Sequence, residues 1–238
     1  MPVNLLTIDA STEICSVALR INGNSREEVC HEPRSHSRVL LPMVEKLLRE
    51  ADVGLEALDA IAVTRGPGSF TGIRIGLGIA QGLAYGCGKP LVGVSTLDVM
   101  CQQWCAGADS AQSGNSLIVV ALDARMGEVY WAGYNGDVFK PVFPAQVSAP
   151  EAMINTLQGN DRPAVLLGHG WGLGHLPAGF THRDSEFKPM ASAIVSLVDR
   201  QLDSGVLDLS TAAGLPNLEP LYLRNEVSWQ KRTRIRSD

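Results

Sequence analysis

The feature that most constrains the fold of this chain is a pattern that occurs twice along it. Two short apolar runs are separated by a tight turn, and apolar segments of strand and helix length follow them in alternation. Two runs so close together pair as an antiparallel hairpin, and strands alternating with helices extend the hairpin into a mixed sheet. The sequence therefore predicts an α/β protein with two mixed sheets, each carrying helices.

A Gly-, Ser- and Ala-rich stretch at 107–116 is the best candidate for the boundary between the two copies. We therefore predict an N-terminal lobe at 1–106 and a C-terminal lobe at 107–238, the second ending in a short basic tail at 231–236. The predicted elements of the first lobe are strands 5–10, 14–21, 60–63 and 91–94, and helices 37–49, 71–85 and 96–105. Those of the second lobe are strands 117–122, 129–134 and 164–167, and helices 150–157 and 190–202.

Composition and charge exclude several broad classes of protein. Hydrophobic residues make up 45% and charged residues 19% of the chain, which is ordinary for a globular protein and excludes wholesale disorder. The net charge of −5 argues against a protein that coats nucleic acid by itself, since such proteins carry a basic excess. No apolar stretch has the length of a membrane span, and the first residues lack a signal-peptide pattern. The cysteines, five in number, suit free thiols in a reducing compartment, so we expect a soluble cytoplasmic protein.

Two short segments have the composition of a nucleotide-binding site. The turn of the first hairpin contains Asp9 and Ser11, which suit a phosphate and its magnesium ion. The loop containing Gly66 and Gly68 follows a predicted strand and opens a helix, which aims unpaired helix amides at an anion. Neither segment matches a standard nucleotide fingerprint. A plain Asx-type turn and a tight strand-to-helix connection are the competing interpretations of these four candidate residues.

The predicted helix at 71–85 is unusually rich in glycine. Each interior glycine costs on the order of 1 kcal/mol against alanine, so packing must offset the cost. The small residues form two rows at spacing four, which are Gly72, Gly76, Ala80 and Ala84, and Gly78, Gly82 and Gly86. Both rows are smooth enough for another backbone to approach closely. One row can pack on the protein's own sheet and leave the other for a partner helix, or both rows can be internal.

The spacing of the histidines predicts no metal site. His31 and His36 are five residues apart, and His169 and His175 are six apart, so neither pair has the i, i+4 spacing that places two ligands on one helix face. The chain also lacks the Gly-x-Ser-x-Gly elbow of serine hydrolases. We therefore predict no catalytic residue and no metal ligand.

Four segments give the chain a resemblance to a known family. They are IDAST at 8–12, VTRGPGSFTGIRIG at 63–76, DARMGEVY at 123–130 and PLYLR at 220–224. In this order and spacing they resemble the TsaB (YeaZ) family from end to end. The family is similar to TsaD, the enzyme that transfers threonylcarbamoyl to an adenosine of tRNA, and both have the two-lobed actin- and hexokinase-like fold with ribonuclease H-like lobes. Thr96 and Met100 stand where TsaD has two metal-binding histidines, and neither side chain is expected to retain a hard metal ion.

The resemblance implies a non-catalytic subunit that binds and supports TsaD, with TsaE as a further partner. The reaction modifies the adenosine beside the anticodon of tRNAs that read codons beginning with A, and this chain would meet tRNA through the complex. The family joins TsaD through the helices at 37–49 and 71–85, and the same surface would form a homodimer when TsaD is absent. The implied interface residues are Val39, Met43, Leu47, Arg74, Gly78, Gly82 and Tyr85. No tightly bound cofactor is expected, and ATP or ADP would bind at a shared interface in the complex.

Two other classes of function compete with this interpretation. The hairpin containing Asp9 and the loop at 66–72 also suit a nucleotide-dependent enzyme or ATPase of the actin-like fold. ATP turnover that is lost on Asp9→Ala would favour that class. A metallopeptidase is the third class, and it requires a bound metal ion.

Overall fold

The computed structural model describes residues 2–107, 116–159, 164–173, 180–212 and 218–224, and its first half is built on a five-stranded sheet. The strands are β1 (Leu5–Asp9), β2 (Cys15–Ile21), β3 (Asn24–Cys30), β4 (Ala60–Thr64) and β5 (Leu91–Val94). Their order across the sheet is β3-β2-β1-β4-β5. Strand β2 pairs antiparallel with β1 and β3, whereas β4 pairs parallel with β1 and β5. The predicted hairpin and mixed sheet are confirmed.

The second half repeats this arrangement. Its strands are β6 (Leu117–Arg125), β7 (Glu128–Tyr134), β8 (Phe143–Ser148), β9 (Ala164–Leu167) and β10 (Phe180–Asp184). The order is β10-β9-β6-β7-β8. When this order is read from β8 and each sheet is numbered from its own first strand, both sheets have the same strand order. Strand β7 pairs antiparallel with β6 and β8, and β9 pairs parallel with β6 and β10. The chain therefore has the predicted two-lobed actin- and hexokinase-like fold.

The helices form layers outside and between the two sheets. They are α1 (His36–Glu50), α2 (Phe70–Cys87), α3 (Thr96–Gly107), α4 (Pro150–Leu157), α5 (Ala191–Asp203) and the short α6 (Leu209–Ala212). Helices α1 and α2 share one core with the outer face of the first sheet. Helices α3 and α5 lie between the two sheets in a second core, and α4 covers the outer face of the second sheet. No helix in the described ranges is long and apolar enough to cross a membrane.

Helix α5 belongs to the second half of the chain but packs on the first sheet. Ala191 accepts a hydrogen bond of 2.7 Å from the Thr7 hydroxyl and donates its amide to Ser16 Oγ at 2.8 Å. Arg20 on β2 is buried and binds both carboxylate oxygens of Asp199, one of them at 2.7 Å. The division into lobes at 1–106 and 107–238 stays a prediction, and this helix crosses it. Most of the proposed linker at 107–116 and the whole basic tail lie outside the described residues.

Candidate functional site

The side chain of Asp9 is the centre of a buried hydrogen-bond cluster at the end of β1. Its Oδ1 accepts hydrogen bonds of 2.7 Å from Ser11 Oγ and from Thr64 Oγ1. Its Oδ2 is buried without a partner among the described residues. Burial raises the pKa of Asp9 to about 6, although the hydrogen bonds from Thr64 and Ser11 oppose the rise. The carboxyl group therefore faces the interior and makes internal contacts.

The glycine-rich loop after β4 folds directly over this turn. The Ser69 amide donates a 2.7 Å hydrogen bond to the Ser11 carbonyl, and a Cβ on Gly68 would lie 2.2 Å from the same oxygen. Gly66 and Gly68 have φ angles of +115° and +155°, which side chains rarely allow. Gly68 is thus required for the close approach of loop and turn, whereas a Cβ on Gly66 would lie 3.0 Å from the Leu221 carbonyl oxygen. The structure brings the four nucleotide-binding candidates Asp9, Ser11, Gly66 and Gly68 together.

Their arrangement is closed and does not fit a phosphate group. A phosphate cradle needs hydrogen-bond donors that point into open space. Here the hydroxyl of Ser11 donates to Asp9, its carbonyl is covered by the loop, and Ser11 is only 1% exposed. The phosphate contacts predicted for Asp9, Ser11, Gly66 and Gly68 are not favoured by this arrangement, because the loop lies in front of the turn, and they stay a prediction.

One face of α2 packs tightly on the first sheet. A Cβ on Gly72 would lie 2.1 Å from the carbonyl oxygen of Ala10, and one on Gly76 would lie 3.1 Å from the Ala10 Cβ. Further along the same row, Ala80 and Ala84 are buried in the core. This row is the internal one of the two that the sequence allowed.

The other row of α2 faces solvent. A Cβ added at Gly78, Gly82 or Gly86 would meet no atom within 4 Å. Tyr85, three residues after Gly82 on the same helix, is 90% exposed, and Leu41 of α1 is 43% exposed. We call Gly78, Gly82 and Gly86 the glycine row; it leaves the backbone of α2 open to close approach.

Helix α1 contributes less to an exposed surface than the sequence suggested. Met43 and Leu47 are 8% and 1% exposed and pack in the core of the first lobe, and Val39 is half-buried against the same core. Their burial in the isolated chain does not favour the interface role predicted for Met43 and Leu47, which stays a prediction. A single apolar face on this helix is used to cover the sheet. The side that remains open carries residues such as Leu41 and Pro42.

An arginine is held between two aromatic rings at the N-terminal end of α2. The guanidinium carbon of Arg74 lies 3.6 Å from the ring centroid of Phe70 and 5.9 Å from that of Tyr222. Its Nε and Nη2 donate to the Tyr222 hydroxyl at 3.2 Å and 2.8 Å. The resemblance implied an interface role for Arg74 but none for Tyr222, which lies in the PLYLR segment.

The segment that carries Tyr222 runs back from the second lobe across the first. The Leu221 amide donates to the Arg65 carbonyl at 2.7 Å, and Gln81 donates its side-chain amide to the Leu218 carbonyl at 3.0 Å. Arg224 then pairs with Glu128 on the second sheet. We call residues 218–224 the strap, because it connects α2 with the turn after β6.

The two residues that the resemblance aligns with the metal-binding histidines of TsaD lie between the lobes. Thr96 and Met100 are both fully buried at the start of α3. A Cβ on Gly168 of the second lobe would lie 3.2 Å from the Met100 Cε, so this side chain contacts the opposite lobe. Among the described residues, no three His, Cys, Asp or Glu side chains are grouped to hold a metal ion.

Comparison with known proteins gives consistent matches over most of the chain. The family model of TsaD, tRNA N6-adenosine threonylcarbamoyltransferase, matches residues 30–204. The tRNA threonylcarbamoyladenosine biosynthesis protein TsaB of Escherichia coli strain K12 is 39% identical over 240 residues, covering 96% of this chain and 98% of that protein. TsaB of Haemophilus influenzae is also 39% identical, with 96% and 97% covered.

Solved structures agree with the sequence comparison. A crystal structure of a Pseudomonas aeruginosa protein with similarity to peptidase YeaZ has a TM-score of 0.79 and 35% identity, covering 93% of this chain and 100% of that chain. A second structure, of YeaZ from the same organism, has a TM-score of 0.74 and 33% identity. With this shared fold, the duplicated sheets and the identity along nearly its whole length, the chain belongs to the TsaB family.

Proposed function

We propose that this chain is a non-catalytic subunit in the formation of threonylcarbamoyladenosine beside the anticodon of tRNAs that read codons beginning with A. It acts by binding a TsaD transferase through the exposed sides of α1 and α2, with TsaE joining the same complex. The relatives' names support the pathway, since they are tRNA threonylcarbamoyladenosine biosynthesis proteins. The subunit works in the cytoplasm and contacts tRNA through the complex.

The observation that carries the docking proposal is the glycine row. An interior glycine lowers helix stability by about 1 kcal/mol relative to alanine. No close contact within the monomer requires glycine in this row, since an added Cβ would meet no atom within 4 Å. Small residues at a helix surface allow a second helix to pack at short distance, with the i±4 row of one helix against that of the other. The exposed Tyr85 supplies apolar area beside the row, and the exposed Leu41 supplies it on α1. The same face supports a homodimer when TsaD is absent.

A transferase in its own right is the second candidate, because the family model that matches residues 30–204 is that of TsaD. The buried pair Thr96 and Met100 argues against it. The resemblance places these residues where TsaD has two histidines, and a hydroxyl with a thioether is a poor ligand set for a hard metal ion. We therefore propose that the chemistry belongs to the partner.

We do not expect the isolated chain to bind a nucleotide at the turn that contains Asp9, because the glycine-rich loop covers this turn. We propose that ATP or ADP binds at the shared interface of the complex and is held mainly by groups of the partner. Equilibrium binding of labelled ATP to this chain alone, to TsaD alone and to the mixture tests this assignment. Saturable binding to this chain alone would contradict it.

Docking through the glycine row is tested with Gly82→Leu. The added side chain faces solvent, so the isolated protein should keep its fold, whereas binding to TsaD should be lost because the helices are held apart. Gly159→Leu in the second lobe is the matched control, since its Cβ also meets no atom within 4 Å. Isothermal calorimetry with TsaD gives the affinities. Unchanged affinity of the Gly82 variant would refute docking at this row.

The proposed function itself is tested by reconstitution. TsaD, TsaE and the enzyme that supplies the threonylcarbamoyl group are mixed with unmodified tRNA, with and without this chain. We expect modification to require both TsaD and this chain. Full modification without this chain, or modification by this chain without TsaD, would contradict the proposal.

A further inference from the structure

Arg74 is an exposed arginine that the fold holds in one orientation. Its guanidinium carbon lies 3.6 Å from the ring centroid of Phe70, and the Tyr222 hydroxyl accepts from its Nε and Nη2. Stacking on an aromatic face and a hydrogen bond each restrict the side chain, which otherwise has several free torsions. The rings themselves are 59% and 52% exposed, so the cluster lies at the surface.

This ordered cation has no anionic partner in the part of the chain that the structure describes. Arg20, Arg26, Arg38, Arg125, Arg200 and Arg224 each form an ion pair with a carboxylate. Arg74 forms none there, and its Nη1 group makes no hydrogen bond. A guanidinium carries five N–H donors in a planar fork that matches a carboxylate with two parallel hydrogen bonds. The open Nη1 edge is therefore available to an anion from outside the chain.

The position of Arg74 on α2 indicates where that anion comes from. Arg74 precedes Gly78 by four residues, so it continues the glycine row toward the N-terminus of the helix. A helix that packs along Gly78 and Gly82 passes next to Arg74. The N-terminal end of α2 also carries the positive end of the helix dipole, which favours a negative charge there.

We infer that Arg74, held by Phe70 and by Tyr222 of the strap, recognises a carboxylate side chain on the partner helix that docks along the glycine row. This inference rests on the proposed function and adds to it a specific charge on the partner. It also gives the strap a role: Tyr222 is a positioning residue that acts through Arg74. A single guanidinium beside a row of glycines suits one carboxylate, whereas nucleic-acid backbones are bound by several cations.

The test measures the affinity of full-length variants for TsaD at low and at moderate salt. Arg74→Gln should weaken binding about 10- to 100-fold at low salt, the range for a lost charge-assisted hydrogen bond in an interface. It should also reduce the salt dependence of the affinity. Tyr222→Phe keeps the ring but removes the acceptor, and it should weaken binding about threefold to tenfold. Lys140→Gln, an exposed cation in the second lobe, is the charge control and should change neither quantity.

The outcomes separate this inference from the proposed function. If Gly82→Leu abolishes binding and Arg74→Gln leaves affinity and salt dependence unchanged, the carboxylate contact is wrong and docking at the row stands. If neither variant affects binding, both are wrong. If Arg74→Gln spares TsaD binding but weakens tRNA binding by the assembled complex, the anion is an RNA phosphate and the inference is overturned.

Discussion

Glycine-to-alanine substitutions in α2 should change stability in opposite directions on its two faces. At Gly78 and Gly82 an added Cβ meets no atom within 4 Å, so alanine gains helix propensity without strain. At about 0.8–1.0 kcal/mol per site, the double variant should raise the free energy of unfolding by about 1.6–2 kcal/mol. For a chain of this size that corresponds to a rise in Tm of about 3–8 °C. The isolated subunit therefore has lower stability than its own helix could provide.

The same substitution at Gly72 should be destabilising. Its Cβ would lie 2.1 Å from the Ala10 carbonyl oxygen, so the helix or the first hairpin has to move. Overpacking of this kind costs about 1–3 kcal/mol, which exceeds the small propensity gain available in the first turn of a helix. The pair of variants thus compares one chemical change in one helix on two faces.

Urea unfolding followed by circular dichroism measures both effects, at protein concentrations low enough to exclude a homodimer. An unchanged m-value shows that the midpoint shifts report stability alone. If the Gly78 and Gly82 double variant is less stable than the wild type, the row is packed in the monomer. The argument for an open docking surface then fails. A neutral Gly72→Ala would show that α2 does not approach the turn as closely as the structure indicates.

Two further predictions concern buried charges. The pKa of Asp9 is raised to about 6 in the folded state, so the wild type loses stability as pH rises from about 4 to about 7. Over that range the free energy of unfolding of Asp9→Asn should therefore rise by about 3 kcal/mol relative to the wild type, measured by urea unfolding at several pH values. A difference that stays constant with pH would contradict the raised pKa. Asp199→Ala leaves buried Arg20 without its carboxylate and should lower the free energy of unfolding by about 2–4 kcal/mol. Glu32→Ala removes the exposed partner of Arg38 and should lower it by less than about 1 kcal/mol; similar effects at the two sites would contradict the role of burial.

The sequence predicted the apolar elements well and missed the polar ones. Strand β9 and helix α4 have the predicted bounds, because short apolar runs and a starting proline mark them. Strand β3 was missed because its sequence, NSREEVC, has no apolar alternation; it lies at the edge of its sheet, where charged side chains are tolerated and discourage edge-to-edge association. Strand β8, the corresponding edge of the second sheet, begins with a Phe-Pro pair that is typical of a turn.

For a related reason, the sequence could not show which helix faces stay exposed. The 3.6-residue periodicity of α1 marks one apolar face, and the fold uses that face for its core, so Met43 and Leu47 are buried. Periodicity identifies a buried stripe but not what buries it. The contact of Arg74 with Tyr222 joins residues 148 positions apart. No local pattern encodes such a contact, and the strap became interpretable only when the topology brought its residues to α2.

The two faces of α2 connect the covered turn at Ser11 with the open glycine row. Gly72 and Gly76 allow the helix to approach the first hairpin closely, and the loop before the helix covers Ser11. The same packing fixes the helix on the sheet and turns Gly78 and Gly82 outward. A bulkier inner row would hold the helix away from the turn and weaken the loop closure. It would also tilt the outer row, so substitutions at Gly76 should weaken the proposed binding of TsaD, measured by calorimetry, although this residue is buried. The closed turn and the open row are therefore consequences of one packing arrangement.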